Sequence, residues 1–382
     1  MKKHIAFRIL TGLLLSLAIA GVVFSCGKKD AAGSKNMVVV FAVGDAKIIK
    51  GGVETPAAVG MVVNENDQIK TVDGSIDLQT KTGSAVRIRP FTTITVARLS
   101  AGESETRISM EHGGLLASVK KESSKESFNV VTPTAIAGVR GTTFSMEVDN
   151  GQKPVVRVLD GSVAMAPHIP ALDSMTQEQI NASPALQQLA AVQRREVVLQ
   201  EKTEGSLPPA VEERVIQANQ VLAVAPATAN APAAAPSAAQ LEQVSRIAQE
   251  LKAAPVVDSH ETEITAREQA EKDTLVTVSP ETVQRVIDGS RRGDTAGVED
   301  LKKEQESRQN QVLQRIQEQA QKVELKTEQE IREHYNSLET IVMKDGTKLS
   351  GAVIAQTGEQ LVVHTPNGVV RIRKADVASQ EF

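Results

Sequence analysis

Short segments of alternating apolar and polar residues, each closed by a turn dipeptide, run through residues 37–166 and constrain the fold most. Residues 76–80, 86–89 and 93–96 alternate with a period of two, which places one face of a strand in a core and the other in solvent. Turn signals such as Asp73-Gly74 and Asp160-Gly161 separate the segments, and no long helical pattern interrupts them. The pattern predicts a mainly β domain, an antiparallel sandwich or β-roll, rather than a doubly wound fold.

Aromatic residues are scarce throughout the chain. Trp is absent, Tyr335 is the only tyrosine, and aromatics make up 2% of the 382 residues. The core must therefore consist of Val, Ile, Leu, Met and Ala. Because sugar-binding clefts usually stack aromatic rings on the sugar, this composition disfavours a carbohydrate-binding function.

The N-terminus has the pattern of a bacterial lipoprotein signal peptide, which we assign to residues 1–25. Basic residues Lys2, Lys3 and Arg8 precede an apolar run over residues 9–24, and Cys26 is the only cysteine. We expect a diacylglycerol on the Cys26 sulfur and a further acyl chain on its freed amine, which together make anchoring effectively permanent. The alternative is an uncleaved anchor helix, but a bilayer span needs about twenty apolar residues. Residues 26–36 form a short polar tether.

This anchor predicts that the mature chain lies outside the inner membrane, on the periplasmic or surface face of the outer membrane, with the inner membrane as the alternative. With one cysteine, neither a disulfide framework nor a cysteine-ligated metal site is expected. The formal charge is -4, and it becomes -7 once the signal, with three basic and no acidic residues, is removed. An acidic chain is a poor partner for nucleic acid.

Beyond residue 166 the character of the sequence changes. Residues 167–222 form a mixed extension, in which Ser183-Pro184 has the pattern of a helix N-terminus. Residues 197–199 and 221–224 fit either helix or returning strand. Residues 223–239 are rich in Ala and Pro, and we interpret them as an extended linker at a domain boundary. Limited proteolysis is expected to cut this linker and release a soluble C-terminal piece.

Residues 240–339 are predicted to be helical and partly disordered. A short amphipathic helix begins at Gln240, and Ser279-Pro280 begins another. Residues 296–338 are rich in Gln, Glu, Lys and Arg, and a continuous helix of that length would extend roughly 65 Å. Its apolar seam is thin, so a solvated helical spacer is favoured over a coiled-coil dimer.

The last segment, residues 340–382, is predicted to be a small β unit resembling an SH3-like or Sm-like barrel. Asp345-Gly346 and Asn367-Gly368 between apolar runs are strong hairpin signals. Its core is so small that a partner or self-association is expected to support it.

Residues 37–165 resemble the FecR domain, and the resemblance is carried by four blocks. They are FAVGDAKII from Phe41, GMVVNENDQIKT from Gly60, GSAVRIRP from Gly83, and FNVVTPTAIAGVRGTTF from Phe128, after which residues 156–163 close the domain. The last block is the most specific. The order of lipobox, FecR-like domain, Ala/Pro linker, polar helix and small β end is similar to that of spirochaete FecR-domain outer-membrane lipoproteins.

The family takes its name from a regulator that relays a receptor signal to a sigma factor through a cytoplasmic N-terminal segment. An acylated Cys26 leaves no such segment, so the resemblance implies only the fold and a role in protein contacts at the envelope. The motif residues are Thr132, Pro133, Arg140, Gly141 and Thr142. Gly141 permits a tight turn, and Arg140 is expected to pair with a carboxylate or cap carbonyls, as a structural turn rather than a ligand site.

No catalytic motif is found in the sequence. It has neither a GxSxG elbow nor a P-loop, and its six histidines lack metal-ligand spacing. We therefore predict a protein without enzymatic activity, cofactor or metal, acting through contacts with an unidentified envelope protein as a scaffold or signal relay. A module that binds an envelope polymer such as peptidoglycan is the alternative, and a hydrolase with a dispersed site is a third. The oligomeric state does not follow from the sequence.

Overall fold

The structure is a computed structural model that describes residues 36–99, 105–120, 127–149, 153–223, 235–357 and 359–381, without the side chains of residues 266 and 267. Cys26, the signal peptide and the tether before residue 36 lie outside the described residues, as do residues 224–234 of the linker.

Among the described residues from 37 to 167, fourteen strands follow one another with no helix between them, which confirms the predicted β-rich N-terminal part. They are β1 (Met37–Val43), β2 (Ala46–Lys50), β3 (Val53–Pro56), β4 (Val62–Val63), β5 (Gln68–Thr71), β6 (Ser75–Thr80), β7 (Ala85–Ile88), β8 (Thr93–Leu99), β9 (Glu105–Ser118), β10 (Ser127–Val131), β11 (Ala135–Val139), β12 (Thr143–Val148), β13 (Pro154–Asp160) and β14 (Ser162–Pro167).

The strands form two layers that share β9. Sheet A has the order β4-β1-β6-β7-β9-β12-β13, and sheet B has the order β3-β2-β5-β8-β9-β10-β11-β14. All these pairings are antiparallel except β9 with β10. The long strand β9 passes between sheets at Gly113, whose φ is +99° and whose added Cβ would meet Thr92 Oγ1 at 2.3 Å. Only glycine fits this crossing, because both the backbone conformation and the space exclude a side chain.

The core between the two layers is aliphatic, as the composition requires. Phe144 is the one aromatic among its largest fully buried side chains, and the others are Met37, Ile48, Ile69, Ile76, Leu78, Ile88, Ile94, Ile108, Met110 and Leu115.

Helices and two further strands occupy residues 170–222. They are α1 (Pro170–Asp173), α2 (Gln177–Asn181), α3 (Pro184–Gln193), β15 (Val197–Gln200), β16 (Thr203–Ser206) and α4 (Pro209–Leu222). The Ser183 hydroxyl accepts a hydrogen bond from Leu186 N at 3.4 Å, as its position before Pro184 predicts. Of the two ambiguous segments, the first is strand β15, which pairs with β14, and the second contributes the end of α4.

The residues after the linker return to the β domain. Helix α5 (Ala238–Ala253) places Val244, Ile247 and Leu251 in the same apolar core as the sandwich, and β17 (Asp258–Glu261) extends sheet A beyond β16. Gln240 Nε2 also donates to Val221 O across the linker at 2.7 Å. The Ala/Pro composition marks a linker, but the chain on its two sides shares one core.

The long polar region contains several separate helices. They are α6 (Ala266–Thr274), α7 (Pro280–Arg292), α8 (Ala296–Ala320) and α9 (Glu328–Tyr335). A helix continuous to residue 338 is not formed, since α8 ends after 25 residues, about 37 Å, and Thr327 caps a new helix. Leu301 of α8 packs on the β domain, while Leu313 and Ile316 pack on the C-terminal sheet. The apolar seam is therefore buried rather than solvated.

The C-terminal part is a five-stranded antiparallel sheet. Its strands are β18 (Glu339–Met343), β19 (Lys348–Gln356), β20 (Gln360–Thr365), β21 (Gly368–Arg373) and β22 (Val377–Glu381), in the order β21-β20-β19-β18-β22. Gly346 and Gly368 occupy the two predicted hairpin turns with positive φ. The small β unit is confirmed, and its closure into an SH3-like barrel stays a prediction. Across the described part of the chain, no helix has the length and apolar character needed to cross a bilayer.

Candidate functional site

The outer face of sheet A, which points away from the sandwich core, is covered by a later part of the same chain. A β-bulge between Val39 and Phe41 changes the register of β1 against β6. Consequently Val38, Val40 and Phe41 all lie on the outer face, where they form an apolar bed, while Met37 and Val39 face the core.

Buried polar side chains lie beside this bed. Asp77 and Gln79 of β6 are fully buried, and Arg87 of β7 stands directly opposite Asp77 in the register. The Arg87 guanidinium donates two hydrogen bonds to the Asp77 carboxylate, both at 2.7 Å, and its Cζ lies 5.9 Å from the Phe41 ring centroid. Burial lowers the pKa of Arg87, but the Asp77 carboxylate outweighs that effect and raises it, so the guanidinium stays charged.

These side chains bind the main chain of residues 274–279, a segment that we call the strap. Val276 N donates to Asp77 Oδ2 at 2.9 Å, and Val278 N and O form a reciprocal pair with the Gln79 amide, both bonds at 2.8 Å. Arg87 donates to Thr274 O at 2.7 Å and to Thr274 Oγ1 at 2.8 Å. Side chains of the sheet thus satisfy the buried peptide groups of the strap.

Two further arginines of sheet A bind helix α6, whose last residue, Thr274, is the first residue of the strap. Arg89 donates to both carboxylate oxygens of Glu271, at 2.8 and 2.7 Å. Arg157 bonds Glu268 at 3.1 Å and Glu204, its cross-strand neighbour, at 2.6 Å. Since the two glutamates are three residues apart on α6, they lie on one face of the helix and meet two arginines of the sheet.

Apolar contacts complete the cover. Val276 and Val278 of the strap pack on the apolar bed, together with side chains from α7 and α8, which are Val283, Val286, Ile287, Val298 and Leu301. The three apolar residues of α7 are spaced i, i+3 and i+4, so they lie on one face of this helix. The outer face of sheet A is therefore buried around Val38, Val40, Asp77 and Gln79.

The sequence predicted a solvated outer face for β6 and β7, and that prediction was wrong. Asp77, Gln79 and Arg87 alternate with core residues in the same way as solvent-facing residues of any antiparallel strand. Their partners are almost 200 positions away, so nothing in the local pattern distinguishes a buried network from an exposed one.

Thr132 and Pro133 of the sequence motif form a tight turn rather than a ligand site. The Thr132 hydroxyl accepts from Ala135 N at 2.9 Å, and Thr132 O lies 2.7 Å from Nδ1 of the buried His168. His168 Nε2 lies 2.9 Å from Asp173 Oδ2. Burial raises the pKa of Asp173, but the hydrogen bond and charge of His168 outweigh it and lower the pKa below its usual range.

The second half of the motif forms the turn between β11 and β12. Gly141 has a φ of +66°, and Thr142 Oγ1 donates to Ser162 O at 2.7 Å, which ties this turn to the β13–β14 turn. Arg140 is exposed and has neither an ion pair nor a hydrogen bond among the described residues, so the expected pairing with a carboxylate is absent there. The five motif residues thus lie at two separate turns.

Within the described ranges, no three His, Cys, Asp or Glu side chains are grouped as metal ligands would be. Cys26 lies outside those ranges.

Residues 67–164 match the model of the family described as FecR protein, which confirms the resemblance seen in the sequence for 98 of the 382 residues. The match includes Asp77, Gln79, Arg87 and Arg89 of the covered face. No curated protein matches the chain.

Two solved structures of a candidate anti-sigma factor from Parabacteroides distasonis, at 1.65 and 2.50 Å, are similar to part of the chain. Each shares 15% sequence identity over 37% of this chain, with a TM-score of 0.27. The matched part spans about half, 54%, of the solved chain.

Proposed function

We propose that this protein is a lipid-anchored envelope protein without enzymatic activity, which acts through protein contacts in a scaffold or signal-relay role. One observation carries the proposal: polypeptide covers the outer face of the FecR-like sheet. Asp77, Gln79, Arg87 and Arg89 all bond to a distant segment of the chain. A face on which these four polar side chains bind a distant segment of polypeptide fits a protein-binding module.

The location follows from the sequence. The N-terminal signal and the single cysteine support anchoring through Cys26, with the described domain outside the inner membrane. The outer membrane is the proposed location, in accord with the similarity of the layout to spirochaete lipoproteins.

The anchor is tested by mass spectrometry of the N-terminal peptide from membrane-extracted protein, with Cys26→Ser as the matched control. We expect a peptide that begins at Cys26 and carries acyl mass, and no such peptide from the variant. An intact Met1 with unmodified Cys26 would refute lipid anchoring and indicate a single-pass anchor.

The protein-contact role is tested by cross-linking intact cells with a lysine-reactive reagent and capturing the chain through a C-terminal tag. We expect the same envelope protein in repeated captures of the wild type, and a much lower yield from Cys26→Ser. Captures without any reproducible partner, together with co-sedimentation of the protein with purified sacculi, would replace this role by peptidoglycan binding.

A further inference from the structure

The way in which sheet A holds the strap defines a ligand class. Four main-chain atoms of the strap bond to side chains of the sheet. Asp77 accepts from Val276 N, and the Gln79 amide accepts from Val278 N and donates to Val278 O. Arg87 donates to Thr274 O. Thr274 is the last residue of α6, and the other three atoms belong to the residues that follow this helix. Recognition through peptide groups does not depend on the ligand's side chains, so an extended segment presents the same atoms as Val276 and Val278.

Side-chain selectivity comes from alternate positions. Val276 and Val278 are buried on the apolar bed of Val38, Val40 and Phe41, whereas Leu275 and Thr277 between them are only half-buried. In an extended chain every second side chain points to the same face. The face therefore selects aliphatic residues at positions i and i+2.

The strap does not belong to the sheet that it covers. Among the described strands, none pairs with residues 274–279, so these residues are held by side chains across a face and not by a main-chain ladder. A cavity of about 230 Å³ borders the strap, lined by Phe41, Arg87 and strap residues on one side and by α8 on the other. Because this pocket is partly open to solvent, the strap does not pack closely against α8 on that side.

We propose that the outer face of sheet A is a peptide-binding face, which the chain's own strap occupies here. Once the strap is released, this face binds an extended partner segment with aliphatic residues at positions i and i+2. The proposal deepens the proposed function, because it names the binding surface and the class of partner. It rests on the proposed function only in taking the partner to be a protein. The strap is an intramolecular competitor with the advantage of a high effective concentration, so the partner binds when the strap opens.

The test uses the full chain purified in detergent and a fluorescein-labelled peptide of residues 270–288. The double variant Val276→Asp/Val278→Asp places two carboxylates on the apolar bed, which expels the strap but leaves the face unchanged. By fluorescence anisotropy we expect this variant to bind the wild-type peptide at least tenfold more tightly than the unmodified chain does.

Two controls fix the site of binding. A peptide that carries both Val→Asp changes should not bind, and adding Gln79→Leu to the opened chain should weaken binding of the wild-type peptide at least tenfold. If the opened chain keeps its sheet content by circular dichroism and still does not bind the peptide, the proposal is overturned.

Hydrogen exchange of the unmodified chain tests the release itself and needs no variant. We expect peptides that contain Val276 and Val278 to exchange faster than core strand β9, because the strap opens without global unfolding. Equal protection of the strap and β9 would overturn the proposal. Neither measurement depends on lipidation or on recovery of an envelope partner, so failure of the proposed function is distinguished from failure of this inference.

Discussion

Arg87→Met removes the cation at the centre of the covered face and leaves the Asp77 carboxylate buried without its partner. Asp77 is 0% exposed, and Arg87 makes two 2.7 Å bonds to it besides the bonds to Thr274. Removal of one partner from a buried ion pair costs about 3–5 kcal/mol, since the remaining charge is desolvated and uncompensated. We expect a loss of that size in the free energy of unfolding.

The matched control is Arg98→Met. Arg98 pairs with Glu105 at 3.3 Å on the same domain, but its side chain is 56% exposed, and surface pairs contribute about 0–1 kcal/mol. Urea unfolding followed by far-UV circular dichroism compares the two. With a denaturant slope of about 3 kcal/mol per molar, the midpoint for Arg87→Met falls by roughly 1–1.7 M, and that for Arg98→Met by no more than about 0.3 M.

A second change identifies the source of the loss. Adding Asp77→Asn to Arg87→Met removes the orphaned charge and keeps an oxygen for Val276 N, so the double variant should be more stable than Arg87→Met alone. Equal midpoints for Arg87→Met and Arg98→Met would refute the reasoning, because they would mean that the buried pair contributes no more than an exposed one.

Three further predictions concern other parts of the chain. Burial raises the pKa of Tyr335, the only tyrosine, to about 12, so the absorbance of this residue at 295 nm should titrate near pH 12 and not near pH 10. The contribution of Tyr335 to stability is complete below about pH 10 and is lost as the pH rises to 12. A titration midpoint near 10 would contradict the burial. Because the pKa of Asp173 is lowered, the contribution of Asp173 to stability is present above about pH 4 and is lost as the pH falls through the folded-state pKa. The unfolding temperature of Asp173→Asn should therefore fall less steeply in acid than that of the wild type. Parallel curves of unfolding temperature against pH would count against the pairing with His168. After elastase cleavage within residues 223–239, the two fragments should co-elute on gel filtration, because α5 shares the sandwich core. Separation of the fragments would instead support the domain boundary predicted from composition.

Elements that rest on local chemistry were predicted well. Period-two alternation and turn glycines identified the β-rich N-terminal part, and the FecR family match confirms the resemblance for residues 67–164. Ser183 and Ser279 begin helices as their capping patterns predict, and the two C-terminal hairpins turn at Gly346 and Gly368. In each case the signal lies within a few residues of the element that it specifies.

Elements that depend on distant partners were not predicted. Composition marked residues 223–239 as a boundary, yet α5 and β17 beyond it belong to the same core and the same sheet as the strands before it. The polar region of residues 296–338 was predicted to be a solvated helical spacer, with its continuity left open. Its apolar residues are instead divided between the two β parts, and its first helix ends at Ala320.

The sequence by itself determined the strand content, the turn positions, the aliphatic core and the expected anchor at Cys26, because periodicity, turn chemistry and a single thiol are local properties. Only the tertiary structure decided that the outer face of sheet A is buried and which residues line it. Asp77, Gln79 and Arg87 would look the same on a solvated strand, and they become a binding face only because the strap, almost 200 residues later, places its peptide groups against them.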